Sequence, residues 1–149
     1  MNVTVKTTIS KPSNTVWPVI TDITNAQTVI SGIKSIRILD QPENTLIGLR
    51  WKETRELFGK EASEIMWITA AEENSYYCTR AESHGSIYET RLSLSQQGSE
   101  TELCMSFEST AVSWPARILS TLMKPMIKNS LRKTMARDLE DIKHHVESL

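Results

Sequence analysis

The sequence predicts an α+β domain in which a long C-terminal helix lies across a curved antiparallel sheet. Large apolar residues recur at three- and four-residue steps over residues 113–149, which places them on one helical face. A helix of about 32 residues would be about 48 Å long, whereas a compact domain of this size has a radius of gyration of about 15 Å. The helix therefore needs a broad partner, and the alternating segments that precede it supply the strands of a sheet.

The N-terminal segment predicts one strand followed by two short helices. Apolar and polar residues alternate over residues 3–9, which is typical of a strand. A helix start follows at residues 10–14, where Pro12 occupies an early position that needs no backbone N–H. Pro18 should limit this helix, because beyond the first turn a proline removes a backbone hydrogen bond. A second short helix is predicted at residues 24–30.

Alternation and turn residues predict six further strands before the long helix. Because the breaks between them are short, neighbouring strands should pair as antiparallel hairpins. The first and last strands can also pair, which gives a strongly bent seven-stranded sheet within a single domain of 149 residues. The predicted strands span residues 33–40, 46–57, 60–70, 75–84, 86–96 and 101–110.

The strand at residues 46–57 suggests a polar site inside an apolar cavity. Leu49 and Trp51 alternate with basic residues, so they should face inward. The same register places Glu53 and Arg55 inward, where a charge needs a partner or a polar ligand. Two alternatives stay open: the strand end opens to solvent, or a bulge reverses the register.

The same alternation assigns inward faces to three other strands. The inward side chains of these strands that we predict to bind ligand are Tyr77, Tyr88, Leu92, Met105 and Phe107. With Trp51, Glu53 and Arg55 they make up the predicted ligand-binding residues of the sheet. Strand 60–70 is ambiguous, because Ile65 and Trp67 compete with Met66 and Ile68. On the long helix, the N-terminal half is expected to form the ligand wall through Ile118, Leu119, Leu122, Met123 and Met126.

The order of one strand, two short helices, six strands and a long helix resembles the helix-grip fold. It is similar to the START-like (SRPBCC) superfamily, which includes polyketide cyclase/dehydrase-type proteins, the major birch pollen allergen and lipid-transfer domains. The resemblance covers essentially the whole chain, and it implies a curved sheet wrapped around the long helix with a cavity for a hydrophobic ligand. Its local motifs are Ile9-Ser10-Lys11-Pro12, Val16-Trp17, Thr21-Asp22, the segment 48–55 and Gly59.

Composition excludes several other classes of function. The formal net charge of −1 gives no bulk attraction to nucleic acid. The chain has no run of 18 apolar residues, so no stable membrane insertion is expected. The N-terminal residues lack the apolar core of a signal peptide, which makes a cytoplasmic location the expectation. No His/Cys cluster has zinc spacing, and neither a metal nor a cofactor is expected.

Three functions are compatible with these patterns. The favoured one is binding or transport of a lipid, polyketide or isoprenoid-like molecule, with Pro125 bending or dividing a helix that gates the cavity. The second is a cyclase or dehydratase with Glu53 and Arg55 as candidate catalytic residues, although no nucleophile–base–orienter arrangement is visible. The third is an adaptor that uses the basic helix face of Lys124, Lys128 and Arg132. The oligomeric state stays open.

Overall fold

The computed structural model describes residues 1–57 and 59–149, except for the side chains of Leu57, Leu119, Ser120 and Met123. The strands are β1 (Asn2–Ile9), β2 (Ile33–Asp40), β3 (Arg50–Leu57), β4 (Lys60–Glu72), β5 (Tyr76–Ser83), β6 (Ser86–Gln97) and β7 (Glu100–Ala111). The helices are α1 (Ser13–Thr21), α2 (Ala26–Val29) after a 3-10 turn at Ile23–Asn25, and α3 (Trp114–Glu147).

The seven strands form one antiparallel sheet in the order β1-β7-β6-β5-β4-β3-β2. Every hairpin predicted from the short breaks is present, and β1 closes on β7 across the full length of β1, from Asn2 opposite Glu108 to Ile9 opposite Thr101. The predicted fold class is therefore confirmed. Among the residues that the structure describes, no helix is both long enough and apolar enough to cross a membrane.

Both internal prolines are accommodated within helices. Pro18 lies inside α1, which continues to Thr21, so the prediction that Pro18 limits the helix is wrong. Burial of Val16 and Ile20 in the core stabilises the helix despite the missing hydrogen bond. Pro125 lies inside α3, which runs as one element, so of the two alternatives, a bend or a division into two helical segments, the division is wrong.

The core lies between the sheet and the C-terminal half of α3. The helix contributes Met135, Leu139, Ile142 and Val146, all of them buried. Side chains from α1 and from the concave face of the sheet surround the last three, and the largest fully buried ones are Ile9, Val16, Ile68 and Leu103. The C-terminal half of α3 is therefore an integral part of the core.

Strand β4 has one face in the interior and one face outside. Ile68 is buried and Met66 packs against the core, whereas Ile65 is 39% exposed. The guanidinium carbon of Arg50 lies 5.8 Å from the ring centre of Trp67. The inward pair of this strand is therefore Met66 and Ile68, and its outer apolar face is partly covered by Arg50.

Gly85, between β5 and β6, holds the start of α3 against the sheet. Its carbonyl oxygen accepts hydrogen bonds from the backbone N–H groups of Val112 (2.8 Å) and Ser113 (3.1 Å). Ser113 is the N-cap of α3, and its Oγ accepts a hydrogen bond from the N–H of Ala116. A Cβ on Gly85 would lie 2.2 Å from that Oγ, so no larger residue fits without displacing the cap.

We expect Gly85→Ala to destabilise the protein more than Gly98→Ala. Both glycines have positive φ, +75° for Gly85 and +63° for Gly98, so backbone strain is common to both variants. Only the Gly85 variant also displaces the Ser113 cap, because none of the described residues lies within 4 Å of a Cβ at Gly98. Chemical denaturation should show an additional loss of at least about 1 kcal/mol for Gly85→Ala. Equal losses would contradict this account.

Candidate functional site

A cavity of about 720 Å³ lies between the concave face of the sheet and α3. Its volume is in the range of sites for drug-sized ligands. The structure places every predicted ligand-binding residue of the sheet in its lining: Trp51, Glu53, Arg55, Tyr77, Tyr88, Leu92, Met105 and Phe107. The continued register of β3 therefore holds, and neither a bulge nor an open strand end removes Glu53 and Arg55 from the interior.

The short helices and α3 supply apolar lining residues that were not predicted as site residues. From the second half of α1 to the first residue of β2 they include Val19, Ile23, Val29, Ile30 and Ile33. From α3 they include Ala116, Ile127, Leu131 and Met135. These residues have no signature that separates them from ordinary core residues, so only the closed fold identifies them as cavity lining.

The predicted ligand wall on α3 is wrong for three of its residues. Ile118, Leu122 and Met126 are 50%, 76% and 63% exposed, and none of them belongs to the cavity lining. At about 100° per residue, the middle of the pair Leu122 and Met126 lies about 140° around the helix from the middle of the pair Ile127 and Leu131. The side chains of Leu119 and Met123 lie outside the described residues.

Polar side chains gather at one end of the cavity around Arg55. The guanidinium donates two hydrogen bonds to Asp138 of α3, from Nη1 to Oδ1 (3.1 Å) and from Nη2 to Oδ2 (2.8 Å). Its Nε donates to Glu53 Oε2 at 2.7 Å, and the indole Nε1 of Trp51 donates to Glu53 Oε1 at 3.4 Å. One cation thus links a strand and a helix and bridges two carboxylates.

Burial and neighbouring charge shift the pKa values of this cluster. Burial by itself would lower the pKa of Arg55, but the hydrogen bonds and charges of Asp138 and Glu53 outweigh it and raise the pKa. Burial raises the pKa of Asp138, with a further contribution from the Glu53 and Asp141 carboxylates, while Arg55 partly offsets both. Arg55 therefore stays charged, and two carboxylates share its positive charge.

Carboxylates outnumber cations at this end of the cavity. Glu64 on β4 lies directly opposite Glu53 in the strand register and also lines the cavity. Glu53, Glu64 and Asp138 thus contribute three carboxylates to the lining, where the cations are Arg55 beside them and Lys124 on the N-terminal half of α3. Neither Glu64 nor Asp138 was predicted as a site residue. For Asp138 a signal existed, because it lies between Met135 and Ile142 at steps of three and four on the apolar face of the helix.

The aromatic lining residues differ in the interactions that hold their side chains. Tyr77 donates its hydroxyl hydrogen to the carbonyl oxygen of Ile20 at 3.1 Å, and its ring packs edge-on against Trp17. Burial, followed by the charge of Glu53, raises the pKa of Tyr77, so the phenol stays protonated. Tyr88 instead stacks on Phe107 with ring centres 5.9 Å apart. Tyr77 is a fixed donor within the fold, and Tyr88 and Phe107 form an apolar surface.

Comparison with known proteins agrees with the fold. A family model described as polyketide cyclase / dehydrase and lipid transport matches residues 1–147. Similar solved structures include TTHA0849 from Thermus thermophilus, with a TM-score of 0.83, 13% identity and coverage of 99% of this chain and 98% of that one. A START superfamily protein from Mycobacterium smegmatis has a TM-score of 0.82, 19% identity and coverage of 99% and 97%.

A third similar structure is the Zhui aromatase/cyclase from Streptomyces sp. R1128. Its TM-score is 0.79 at 13% identity, with coverage of 99% of this chain and 93% of that chain. No curated protein matches the sequence. At these identities the structural similarities establish the helix-grip fold, which the START superfamily shares, and they do not transfer a reaction.

We expect Arg55→Met to destabilise the protein by about 3–5 kcal/mol near neutral pH, because it leaves two buried carboxylates without a cation. It also raises the pKa of Asp138 further. A carboxyl group whose pKa is raised by folding stabilises the folded state at pH values below its ordinary pKa. This contribution is lost as the pH rises through the raised pKa. The penalty in urea unfolding should therefore be smaller at about pH 4 than at about pH 7.

The matched control is Arg50→Met, at an exposed position on the same strand. Among the described residues, the side-chain interaction that this variant removes is the contact of Arg50 with Trp67, so the expected loss is less than about 1 kcal/mol at both pH values. Similar losses for the two variants, or a penalty for Arg55→Met that grows on acidification, would show that the cluster does not hold the strand and the helix together.

Proposed function

Because the chain belongs to the polyketide cyclase/dehydrase and lipid transport family, we propose that it binds a hydrophobic small molecule inside the cavity. A lipid, a polyketide or an isoprenoid-like compound fits this description. The observation that carries the proposal is a cavity of about 720 Å³ with mostly apolar lining and a cluster of charged side chains around Arg55 at one end. Apolar lining supplies affinity through burial, and a few placed polar groups orient the ligand.

The charge balance of the polar end narrows the ligand class. Arg55 already donates to Glu53 and Asp138, so its cation is engaged. An anionic head group would meet three carboxylates there and be repelled. A hydroxyl or phenol, by contrast, can donate a hydrogen bond to Glu53 or Glu64. We therefore propose a neutral ligand with at least one hydroxyl group.

Filling part of the cavity should weaken ligand binding. We expect Met66→Trp, which adds an indole to the lining, to weaken binding of the neutral probe 1-N-phenylnaphthylamine by at least about tenfold. The matched control is Ile65→Trp, because the neighbouring side chain points out of the same strand and is 39% exposed. Fluorescence titration checks this, and native mass spectrometry of the freshly purified protein checks for a retained ligand. Equal affinities for the two variants would refute an internal site.

The hydroxyl preference can be measured with a matched ligand pair. We expect 2-naphthol to bind about tenfold or more tightly than 2-methylnaphthalene, since a hydrogen bond to a charged acceptor contributes about 1.5–3 kcal/mol. In Glu64→Gln the preference should shrink, because a neutral amide is a weaker acceptor. Isothermal titration calorimetry gives both constants. An unchanged preference in Glu64→Gln and in Glu53→Gln would remove the carboxylates from ligand recognition.

A second candidate function is proton-transfer catalysis of the cyclase/dehydratase type. It is favoured by the paired carboxylates Glu53 and Glu64, which face the cavity across adjacent strands. A carboxylate within hydrogen-bond reach of a bound ligand can act as a general base. Incubation with a linear poly-β-ketone distinguishes the two functions: mass spectrometry detects loss of water if the protein is a cyclase, and unchanged ligand if it only binds.

A further inference from the structure

The N-terminal half of α3 carries apolar side chains on its outer face. We call this set the outer stripe: Trp114, Ile118, Leu122 and Met126, which are 75%, 50%, 76% and 63% exposed. They follow one another at steps of four residues, so they occupy one side of the helix. Val112, just before the helix, is also 53% exposed. A contiguous patch of this kind on an ordinary domain indicates an interaction surface.

The outer stripe lies in a segment of unusual charge. The segment 114–137 contains six basic residues and no acidic residue, although the whole chain has a formal net charge of −1. All six lie on α3 at exposed or half-buried positions: Arg117, Lys124, Lys128, Arg132, Lys133 and Arg137. Lys124 also lines the cavity, and the other five place positive charge beside or just beyond the stripe along the helix.

The inner side of the same helical turns is already occupied. Ala116, Ile127 and Leu131 line the cavity, so the helix here is apolar on two opposite faces. The cavity explains why the inner face is apolar. The outer stripe has no role in the cavity or in the core, and the proposed ligand site does not explain it.

We propose that the outer stripe and its flanking cations dock on the surface of a lipid bilayer that contains anionic lipids. A helix that lies in the interface places apolar side chains among the acyl chains and basic side chains among the headgroups. An exposed tryptophan such as Trp114 suits the interface, where its ring is partly apolar and partly hydrated. Docking would place the turns of α3 that line the cavity next to the lipid.

Charge decides between a bilayer and a second copy of the chain. A symmetric dimer through the outer stripe would bring this segment of one copy, which has basic but no acidic residues, against the same segment of the other copy, and like charges across an interface are costly. An anionic bilayer instead attracts each basic residue near the surface, by about 1 kcal/mol each. The stripe therefore fits a lipid surface better than it fits itself.

Vesicle co-sedimentation of the full chain tests the proposal. We expect binding to vesicles of phosphatidylcholine with about 30% phosphatidylglycerol to be at least tenfold tighter than to pure phosphatidylcholine, and to weaken as salt is raised. Tryptophan emission should shift to shorter wavelength on binding, because Trp114 on α3 is exposed, whereas Trp17 and Trp51 are buried and Trp67 is half-buried on β4. The shift should be absent in Trp114→Phe. Equal binding to neutral and anionic vesicles would overturn the role of the cations.

Two pairs of variants separate the apolar and charged parts. Leu122→Gln with Met126→Gln should weaken vesicle binding by at least about tenfold, whereas Ile47→Gln, at a 49% exposed position outside α3, should not. Lys128→Glu with Arg132→Glu should weaken it similarly, whereas Lys52→Glu on β3 should not.

Circular dichroism and binding of 1-N-phenylnaphthylamine to the cavity confirm that each variant keeps its fold. Retained vesicle binding in both α3 double variants would overturn the proposal. A dimer in solution that dissociates on Leu122→Gln with Met126→Gln, without vesicle binding by the native chain, would assign the stripe to a second copy instead.

Discussion

The bidentate ion pair between Arg55 and Asp138 fixes the position of α3 on the sheet. It joins β3 to the helix across the end of the cavity, with the bond from Nη2 to Oδ2 at 2.8 Å. One turn later, Asp141 accepts hydrogen bonds from the backbone N–H and the hydroxyl of Ser31. A Cβ at Gly32 would lie 3.2 Å from Arg55 Nη1, so this glycine leaves room for the guanidinium. Asp138 and Asp141 thus hold the C-terminal half of the helix at the end of the cavity where Arg55 lies.

This arrangement divides α3 into two halves with different physical roles. The C-terminal half is held by the ion pair and by buried residues such as Leu139 and Val146, and it needs no further partner. The N-terminal half is separated from the sheet by the cavity. Its start is held by the hydrogen bond from the backbone N–H of Ser113 to the carbonyl oxygen of Gly85. Because the cavity lies beneath it, this half contributes little to the core, and its side chains are available for ligand on one face and for a surface on the other.

The sequence predicted the sheet well and the helix faces poorly, for a physical reason. In strands the side chains alternate with a period of two, so one clear inward pair, Leu49 and Trp51, determined the positions of Glu53 and Arg55. In the N-terminal half of α3 apolar residues surround the axis, so periodicity could not tell the inner Ile127 from the outer Leu122. Periodicity could have singled out Asp138, because it is an acidic residue at an apolar position of the helical stripe. Its pairing with Arg55 on β3 could not be predicted, because it depends on how the helix packs on the sheet.

The groups that make the cavity specific also restrict its chemistry. Arg55 is held by two carboxylates and stays protonated, and the phenol of Tyr77 is committed to the carbonyl oxygen of Ile20. Groups with such fixed partners orient a ligand but exchange protons poorly. The remaining acceptors are the carboxylates of Glu53 and Glu64, whose proximity favours binding of a hydrogen-bond donor between them. Recognition of a hydroxyl group needs only the atoms already in place, whereas turnover also requires one of these carboxylates to gain and release a proton while the other stays charged.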